Sequence, residues 1–160
     1  MKNKSKSFTH IFWTGWLIGL IILIFIILTI YIRIHQNTGI SQVCSDKNCF
    51  TVEIARTQAE QEQGLMYRTA MAEHHGMIFI FPTNDLYNFR MKNTLIPLDM
   101  VRINDHMKVV HVASAVPCTA DPCAVYRPEI FSKYVLEINA WMAAKYGIKE
   151  WTVTRFQDIR

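Results

Sequence analysis

Residues 11–32 carry no charged side chain, and this run limits what the chain can become more than any other feature. As an α-helix at about 1.5 Å per residue it is roughly 33 Å long, enough to cross about 30 Å of hydrocarbon. Trp13, Trp16 and Tyr31 lie near its ends, where aromatic side chains suit the two membrane interfaces. The run therefore predicts a single-pass transmembrane anchor.

The charges beside the run predict its orientation. Lys2, Lys4 and Lys6 precede it and outnumber Arg33, so the N-terminus is expected in the cytoplasm and the rest of the chain across the membrane. The alternative is a cleaved signal peptide, whose apolar region is usually about 7–15 residues long and is followed by a small-residue cleavage site. Because the run is longer and lacks such a site, we expect an uncleaved anchor in the cytoplasmic (inner) membrane and a domain that is periplasmic or extracellular.

Charge also limits the partners of the folded part. Residues 1–35 hold four of the 17 Lys and Arg residues and none of the 13 Asp and Glu residues, so the remainder is electrically balanced. A nucleic-acid interface needs a clustered basic face. We therefore expect no nucleic-acid partner, and the predicted partners are the membrane and a small polar ligand or an envelope protein.

The four cysteines all follow the predicted anchor, in the identical spacings Cys44-x4-Cys49 and Cys118-x4-Cys123. Disulfides persist in exported compartments, and each such short loop is worth about 2 kcal/mol. Prolines on both sides of Cys118 favour a Cys118–Cys123 loop, and Cys44–Cys49 is then the natural second pair, although three pairings are possible. A four-cysteine zinc site is the alternative, but the spacing is wide for one. No metal or cofactor is predicted.

Alternation and turn signals predict the fold class. Phe50–Ala55 alternates apolar and polar residues, whereas Gly76–Phe81 is apolar throughout, as in a strand covered on both faces. A capping box at Thr57–Glu60 begins one helix, which we expect to run toward Tyr67, and Asn139–Tyr146 forms a second. About seven strands without regular helix alternation predict an α+β domain with a mostly antiparallel, curled or barrel-like sheet and two short helices. The predicted segments are a basic cytoplasmic N-terminus (1–10), an anchor (11–32), a stalk (33–48) and a globular exported domain (49–160).

The stretch Phe89–Met100 is the first candidate for a site, because it mixes charged and amide side chains into an apolar run. Burying an unpaired charge is costly, so such groups pair or face a cavity. Strand spacing places Asp99 on the face of Val101, and Glu137 on the face of Val135. We predict a ligand pocket lined by Arg68, Arg90, Lys92, Asn93, Asp99 and Glu137. The alternative is that these groups form buried ion pairs that fix the sheet.

A second set combines histidine and methionine side chains, which suit copper in an exported domain. Methionines usually fill cores and adjacent histidines rarely point the same way, so core and surface roles are favoured for this set. Its members are Met71, His74, His75, Met77, His106, Met107 and His111.

Six motifs occur in an order that is typical of one family. They are Phe50-x-Val-Glu-Ile-Ala55, Gly64-Leu-Met-x-Arg68, Gly76-Met-Ile-Phe-x-Phe81, Phe89-x-Met-Lys-Asn-Thr-x-Ile-Pro-Leu-Asp99, Cys118-x4-Cys123-x-x-Tyr126 and Tyr134-Val-Leu-Glu-x-Asn-Ala140. Over roughly residues 50–155 the chain resembles the "domain of unknown function 192" (uncharacterised protein family 0127) proteins, which are small, exported or membrane-anchored and prokaryotic. The resemblance implies a compact β-rich domain and supplies no settled activity. Arg90 departs from the family pattern, which usually has Trp at that position. Arg102 and Trp141 also depart from it, because the family often has an aromatic or aliphatic residue at the first of these positions and Gly at the second.

The leading functional prediction is a membrane-anchored ligand-binding or interaction module of the cell envelope, and not an enzyme. One alternative is an envelope hydrolase, with carbohydrate as a candidate substrate, that uses Asp99 and Glu137 as paired carboxylates. The other is a structural subunit of a membrane complex, which would contact its partners through the anchor and through Trp141 and Trp151.

Overall fold

The computed structural model describes residues 19–31, 41–46 and 48–159. The chain divides into two compact units, Met1–Gly39 and Ile40–Arg160. In the first unit, residues 19–31 form helix α1. Of the helices in these described ranges, none has the length and apolar character needed to cross a membrane. The predicted cytoplasmic segment, the rest of the predicted anchor and most of the predicted stalk lie outside the described residues.

The second unit is a mostly antiparallel α+β domain, as predicted. Its main sheet has the strand order β6-β5-β8-β3-β2-β1-β9, and β4 pairs with β7 in a separate ribbon. Among the strands of the described residues, only β2 and β3 pair in parallel. The strands are β1 (Gln42–Ser45), β2 (Asn48–Ala55), β3 (His75–Asp85), β4 (Phe89–Arg90), β5 (Leu98–Ile103), β6 (Val109–Ala115), β7 (Val125–Tyr126), β8 (Ser132–Asn139) and β9 (Thr154–Gln157), and the helices are α2 (Gln58–Gln63) and α3 (Met142–Lys145).

The main sheet curls into a half-barrel whose two edges meet at one end. Lys108, just before β6, forms an isolated bridge with Val153, just before β9. Beside this bridge, the Val109 N–H donates to the Thr152 carbonyl at 2.9 Å, and the Thr154 N–H donates to the Met107 carbonyl at 2.8 Å. The predicted curled, barrel-like sheet is therefore confirmed.

Two apolar clusters lie on opposite faces of this sheet, because successive side chains of a strand point to opposite sides. The inner cluster collects side chains from across the sheet and from α3, including Phe50, Ile78, Val101, Leu136 and Ala143. The outer cluster packs beneath the loops that cover the other face, and includes Leu65, Phe79, Met91, Met100 and Val135. Burial on both faces explains why β5 reads as an uninterrupted buried strand.

Helix α2 begins where the sequence predicts and ends earlier. The Glu60 N–H donates to Thr57 Oγ1 at 3.3 Å and the Thr57 N–H donates to Glu60 Oε2 at 2.8 Å, which is a complete capping box. The backbone N–H groups of Thr57 and Arg56 both donate to the Glu60 carboxylate and lower the pKa of Glu60. The helix was expected to run toward Tyr67, but it stops at Gln63 because Gly64 adopts a φ of 45°.

Both predicted disulfides are present. Cys44–Cys49 joins β1 to β2 across their hairpin, and Cys118–Cys123 closes the loop before β7. The alternative of a four-cysteine zinc site is therefore wrong, since no described cysteine is free. The first disulfide lies in a strand that extends the sheet into residues expected to be stalk, because the side chains of Val43 and Cys44 are buried.

Candidate functional site

The two carboxyl groups of the predicted pocket lie on opposite faces of the sheet. Asp99 lies opposite Ile138, and Glu137 lies opposite Met100. The two carboxyl groups are therefore offset by one residue along the paired strands, and they point to opposite faces of the sheet. The predicted faces of the individual strands are correct. The expected convergence on one pocket is not found, because the register of β5 and β8 sets the two side chains apart.

Asp99 holds the beginning of α3 from the inner face. Its Oδ1 accepts a hydrogen bond from the Ser114 hydroxyl at 2.7 Å, and its Oδ2 accepts one from the Ala143 N–H at 3.0 Å. The residue is 1% exposed. A buried carboxylate is tolerated when both oxygens are hydrogen-bonded, so these contacts define Asp99 as a structural acceptor.

Glu137 lies on the outer face, with 5% of its surface exposed. Burial raises the pKa of Glu137 to about 8, and the nearby positive charge of Arg102 opposes this rise. Among the described residues no side chain forms an ion pair with it within 4.0 Å. Arg68 and Lys92, cations of the predicted set, pair with other carboxylates, and the cation on this face is Arg102.

Arg102 does not belong to the predicted pocket set, although a cation within the apolar strand β5 was a visible signal in the sequence. It is 2% exposed. Its Nη1 donates to the Tyr87 carbonyl at 2.9 Å, and its Nη2 to the Tyr126 carbonyl at 3.4 Å. The guanidinium also lies 5.5 Å from the centre of the Phe89 ring. Arg102 therefore fixes the β4–β7 ribbon to the main sheet, and burial lowers its pKa.

The three predicted pocket cations have different surroundings. Arg68 forms a two-point ion pair with Glu53, with N–O distances of 2.5 and 2.6 Å, and this pairing raises the pKa of Arg68. Lys92 lies 3.3 Å from an Asp121 oxygen in the disulfide loop. Among the described residues, Arg90 makes neither an ion pair nor a side-chain hydrogen bond. It is the unpaired cation of the predicted set.

Asn93 locks two strained loops together. Asn93 and Tyr67 both adopt left-handed backbone conformations, with φ of 58° and 63°. The Asn93 Nδ2 donates to the Tyr67 hydroxyl at 2.9 Å, and the Tyr67 N–H donates to the Asn93 carbonyl at 2.8 Å. Such conformations cost on the order of 1–3 kcal/mol each and concentrate at functional sites. The loops also contain two of the family motifs identified in the sequence.

These loops adjoin a groove on the outer face with a volume of about 490 Å³, which we call the aromatic groove. Phe81 and Tyr87 stack at 3.6 Å between ring centres, and Phe79 meets Phe89 edge-on at 5.1 Å. Polar side chains from α2 and β4 surround this apolar floor. The groove is lined by Gln58, Gln61, Glu62, Met66, Phe79, Phe81, Tyr87, Asn88, Phe89, Arg90 and Lys92.

The groove is held by polar contacts on two sides. On the α2 side, Gln61 Nε2 donates to the Ile80 carbonyl of β3 at 3.0 Å. On the other side, the Arg102 guanidinium donates to the Tyr87 carbonyl and lies over the Phe89 ring. Of the predicted pocket residues, Arg90 and Lys92 line the groove. Arg68, Asn93, Asp99 and Glu137 do not, and the aromatic floor was not predicted.

The histidine and methionine set is dispersed. His74 lies 3.1 Å from the Tyr146 hydroxyl, His106 lies 2.7 Å from Asp105, and His111 lies 3.8 Å from Glu150. Within the described part of the chain, one group of metal-ligating side chains comes together, Cys118, Asp121 and Cys123, and its two sulfurs are joined in the disulfide. The favoured prediction of core and surface roles agrees with these separate contacts.

The fold and the groove define the class of this protein: a small α+β domain with a curled sheet and an open aromatic site on its outer face. The chain belongs to the DUF192 family, described as an uncharacterized ACR, whose model matches residues 41–155. No curated protein matches the chain.

Two solved structures are similar to this domain. A protein of unknown function from Novosphingobium aromaticivorans DSM 12444 is 36% identical, with a TM-score of 0.65 over 72% of this chain and 82% of that chain. A protein from Sinorhizobium meliloti 1021 that is called a proposed transcription regulator is 32% identical, with a TM-score of 0.66 over 72% of this chain and 91% of that chain. The family and the curled fold are therefore established, and function must be argued from the site.

Proposed function

We propose that this protein is a binding module that takes a small ligand into the aromatic groove, and that it is not an enzyme. The observation that carries the proposal is the groove itself, an open site of about 490 Å³ with an aromatic floor and a polar rim. Ligand sites are typically about 300–1,000 Å³ and combine an apolar lining with a few polar groups that orient the ligand. The strained pair of Tyr67 and Asn93 nearby supports the same location.

The hydrolase hypothesis has less support from the geometry. Glycoside hydrolysis needs two carboxyl groups that flank one bond, roughly 5–10 Å apart on the same substrate. Asp99 and Glu137 belong to opposite faces, and both oxygens of Asp99 already accept hydrogen bonds. A role in transcription, suggested by the Sinorhizobium relative, finds no support in the balanced charge of residues 36–160.

The location of the module in the cell is part of the proposal. Residues 11–32 would anchor the chain in the cytoplasmic membrane with the N-terminus inside, and the domain would lie in the periplasm or outside the cell. Two disulfides support an oxidising compartment. Protease treatment of intact spheroplasts tests this orientation, because only an exported domain is then degraded. Protection of the domain until the cells are lysed would contradict it.

A second function, as a subunit of a membrane complex, is favoured by two tryptophans. Trp141 is 68% exposed and Trp151 is 74% exposed, and both have positive φ, at 69° and 70°. Exposed tryptophans are enriched at binding hot spots. Replacement of both by serine would abolish the capture of partner proteins from solubilised membranes if this function is correct, and unchanged capture would exclude these residues as the contact.

A large side chain introduced at the rim of the groove tests whether the groove is the ligand site. Gln58 and Gln63 are exposed glutamines on the same short helix, and only Gln58 lines the groove. Titration calorimetry with 2-naphthamide, a flat neutral probe, is expected to show binding to the wild-type chain and to Gln63→Trp. Binding should be lost in Gln58→Trp. Equal binding to both variants, or no binding to the wild type, would refute the groove as the ligand site.

A further inference from the structure

We propose that the aromatic groove selects a small organic anion, whose flat apolar body lies on the aromatic floor and whose carboxylate or phosphate is bound by Arg90. This inference rests on the proposed function and adds the chemical class of the ligand. It also assigns Arg90 as the residue that determines specificity.

Arg90 differs from the neighbouring cations because its side chain has no polar partner among the described residues. Arg68 and Lys92 each face a carboxylate, and the donors of Arg102 are directed at backbone carbonyls. Arg90 is exposed, lines the groove and has no such partner among the described residues. A guanidinium presents five N–H donors in a planar fork that matches a carboxylate or phosphate at two points. Its free donors therefore favour an anionic group on the ligand.

Glu62 is the carboxylate on the rim of the groove, and its contacts bear on whether the ligand is an anion or a cation. The Glu62 Oε1 already accepts a hydrogen bond from Gln58 Nε2 at 2.7 Å. It lies on α2, whereas Arg90 lies on β4, and the two form no ion pair within 4.0 Å. Lys92 also lines the groove, but Asp121 already pairs with it, so Arg90 is the cation of the lining that has no carboxylate partner among the described residues. The free guanidinium of Arg90 and the hydrogen-bonded Glu62 both favour an anion over a cation.

The floor determines the shape of the ligand's body. The stacked rings of Phe81 and Tyr87 and the edge-on ring of Phe89 present apolar surface next to Arg90. Phe79 and Phe81 are 2% and 9% exposed, so the accessible part of the floor comes mainly from Tyr87 and Phe89, which are half-buried. Aromatic faces favour flat apolar partners. A purely polar anion such as free phosphate would leave this floor without a partner, so the ligand needs both parts.

Three probes of the same shape and different charge test the inference: 2-naphthoate, 2-naphthamide and naphthalene-2-carboxamidine. Calorimetry on the full-length chain is expected to give the naphthoate about tenfold tighter binding than the neutral amide, with the cationic amidine weakest. Arg90→Gln should remove the preference for naphthoate, so that the naphthoate and the neutral amide bind the variant with equal affinity. Arg155 is a matched exposed arginine on β9, and the control variant Arg155→Gln should retain the preference for naphthoate.

The outcomes separate this inference from the function on which it rests. Amide binding without a preference for naphthoate, or a preference that survives Arg90→Gln, would overturn the role of Arg90 and leave the binding module intact. Tighter binding of the amidine would show that the groove prefers a cation, and Glu62 would then be the residue that binds the ligand's charge. The absence of binding by all three probes would overturn both proposals. Unchanged melting temperatures of the two exposed-arginine variants confirm that the fold is retained.

Discussion

Replacement of Glu137 by Gln is expected to make the domain more stable at neutral pH, with a benefit that grows as the pH rises. The pKa of the buried Glu137 is raised from 4.5 to about 8. The folded state therefore binds this proton more tightly than the unfolded state does. Stability from this group is fully present below about pH 4.5 and is lost as the pH rises toward 8.

The magnitude follows from about 1.4 kcal/mol for each tenfold change in proton affinity. Between pH 4.5 and pH 7 the wild-type chain should lose about 3 kcal/mol of unfolding free energy through this residue, and about 5 kcal/mol once the pH exceeds 8. Glutamine has the same shape and stays neutral, so the variant avoids the cost of protonating the carboxyl group on folding or of burying its charge. Arg102 offsets part of that cost, and its effect is already contained in the raised pKa of Glu137.

Urea unfolding of the wild type and Glu137→Gln at several pH values between 4.5 and 8.5 measures the effect. The difference between the two free energies of unfolding cancels the titration of all other groups. It should rise by about 3 kcal/mol in favour of the variant between pH 4.5 and pH 7. Glu129→Gln, at an exposed glutamate, controls for the loss of one negative charge. A difference that does not change with pH would refute the reasoning.

Three further substitutions test the packing of the domain by urea unfolding. A Cβ on Gly76 would lie 2.4 Å from the Glu137 carbonyl oxygen, so Gly76→Ala should destabilise by about 1–3 kcal/mol, and an unchanged midpoint would contradict this close approach. Asp99→Ala leaves the Ser114 hydroxyl and the Ala143 N–H without their acceptor and should cost about 2–5 kcal/mol of unfolding free energy. Asp99→Asn keeps an acceptor and should cost less. Equal losses in the two variants would show that the hydrogen bonds contribute little. Removal of the Cys118–Cys123 disulfide by a double serine substitution should cost about 2 kcal/mol, and the mass of the untreated chain should rise only on reduction; free thiols before reduction would refute the bond.

Local pattern was enough to predict which face of each strand a side chain occupies, but not how the faces combine. Asp99 and Glu137 each lie on the side of their strand that alternation indicates. Their separation depends on the register between β5 and β8, where Asp99 lies opposite Ile138. A shift of one residue would place both carboxylates on the same face. Nothing local to either strand reports that register.

The groove was hard to predict for a related reason. Its floor comes from β3 and β4 and its rim from α2, and these meet only in the folded domain. The partners of the cations are also distant in sequence: Glu53 lies 15 residues from Arg68, and Asp121 lies 29 residues from Lys92. By contrast, the disulfides and the capping box join residues at most five apart, and each was predicted correctly.

The position of β1 between β2 and β9 has a consequence for how the chain reaches its native state. The Ser41 hydroxyl donates to the Asp158 carbonyl, a contact between residues 117 positions apart. The β1–β2 hairpin can form as soon as it is synthesised, but its outer edge then has no partner until β9 has been made. Contacts of such long range form slowly, and an unpaired edge can recruit a strand from another chain. Until β9 has been made, the open edge of β1 is therefore a place where a growing chain can pair with another chain and aggregate.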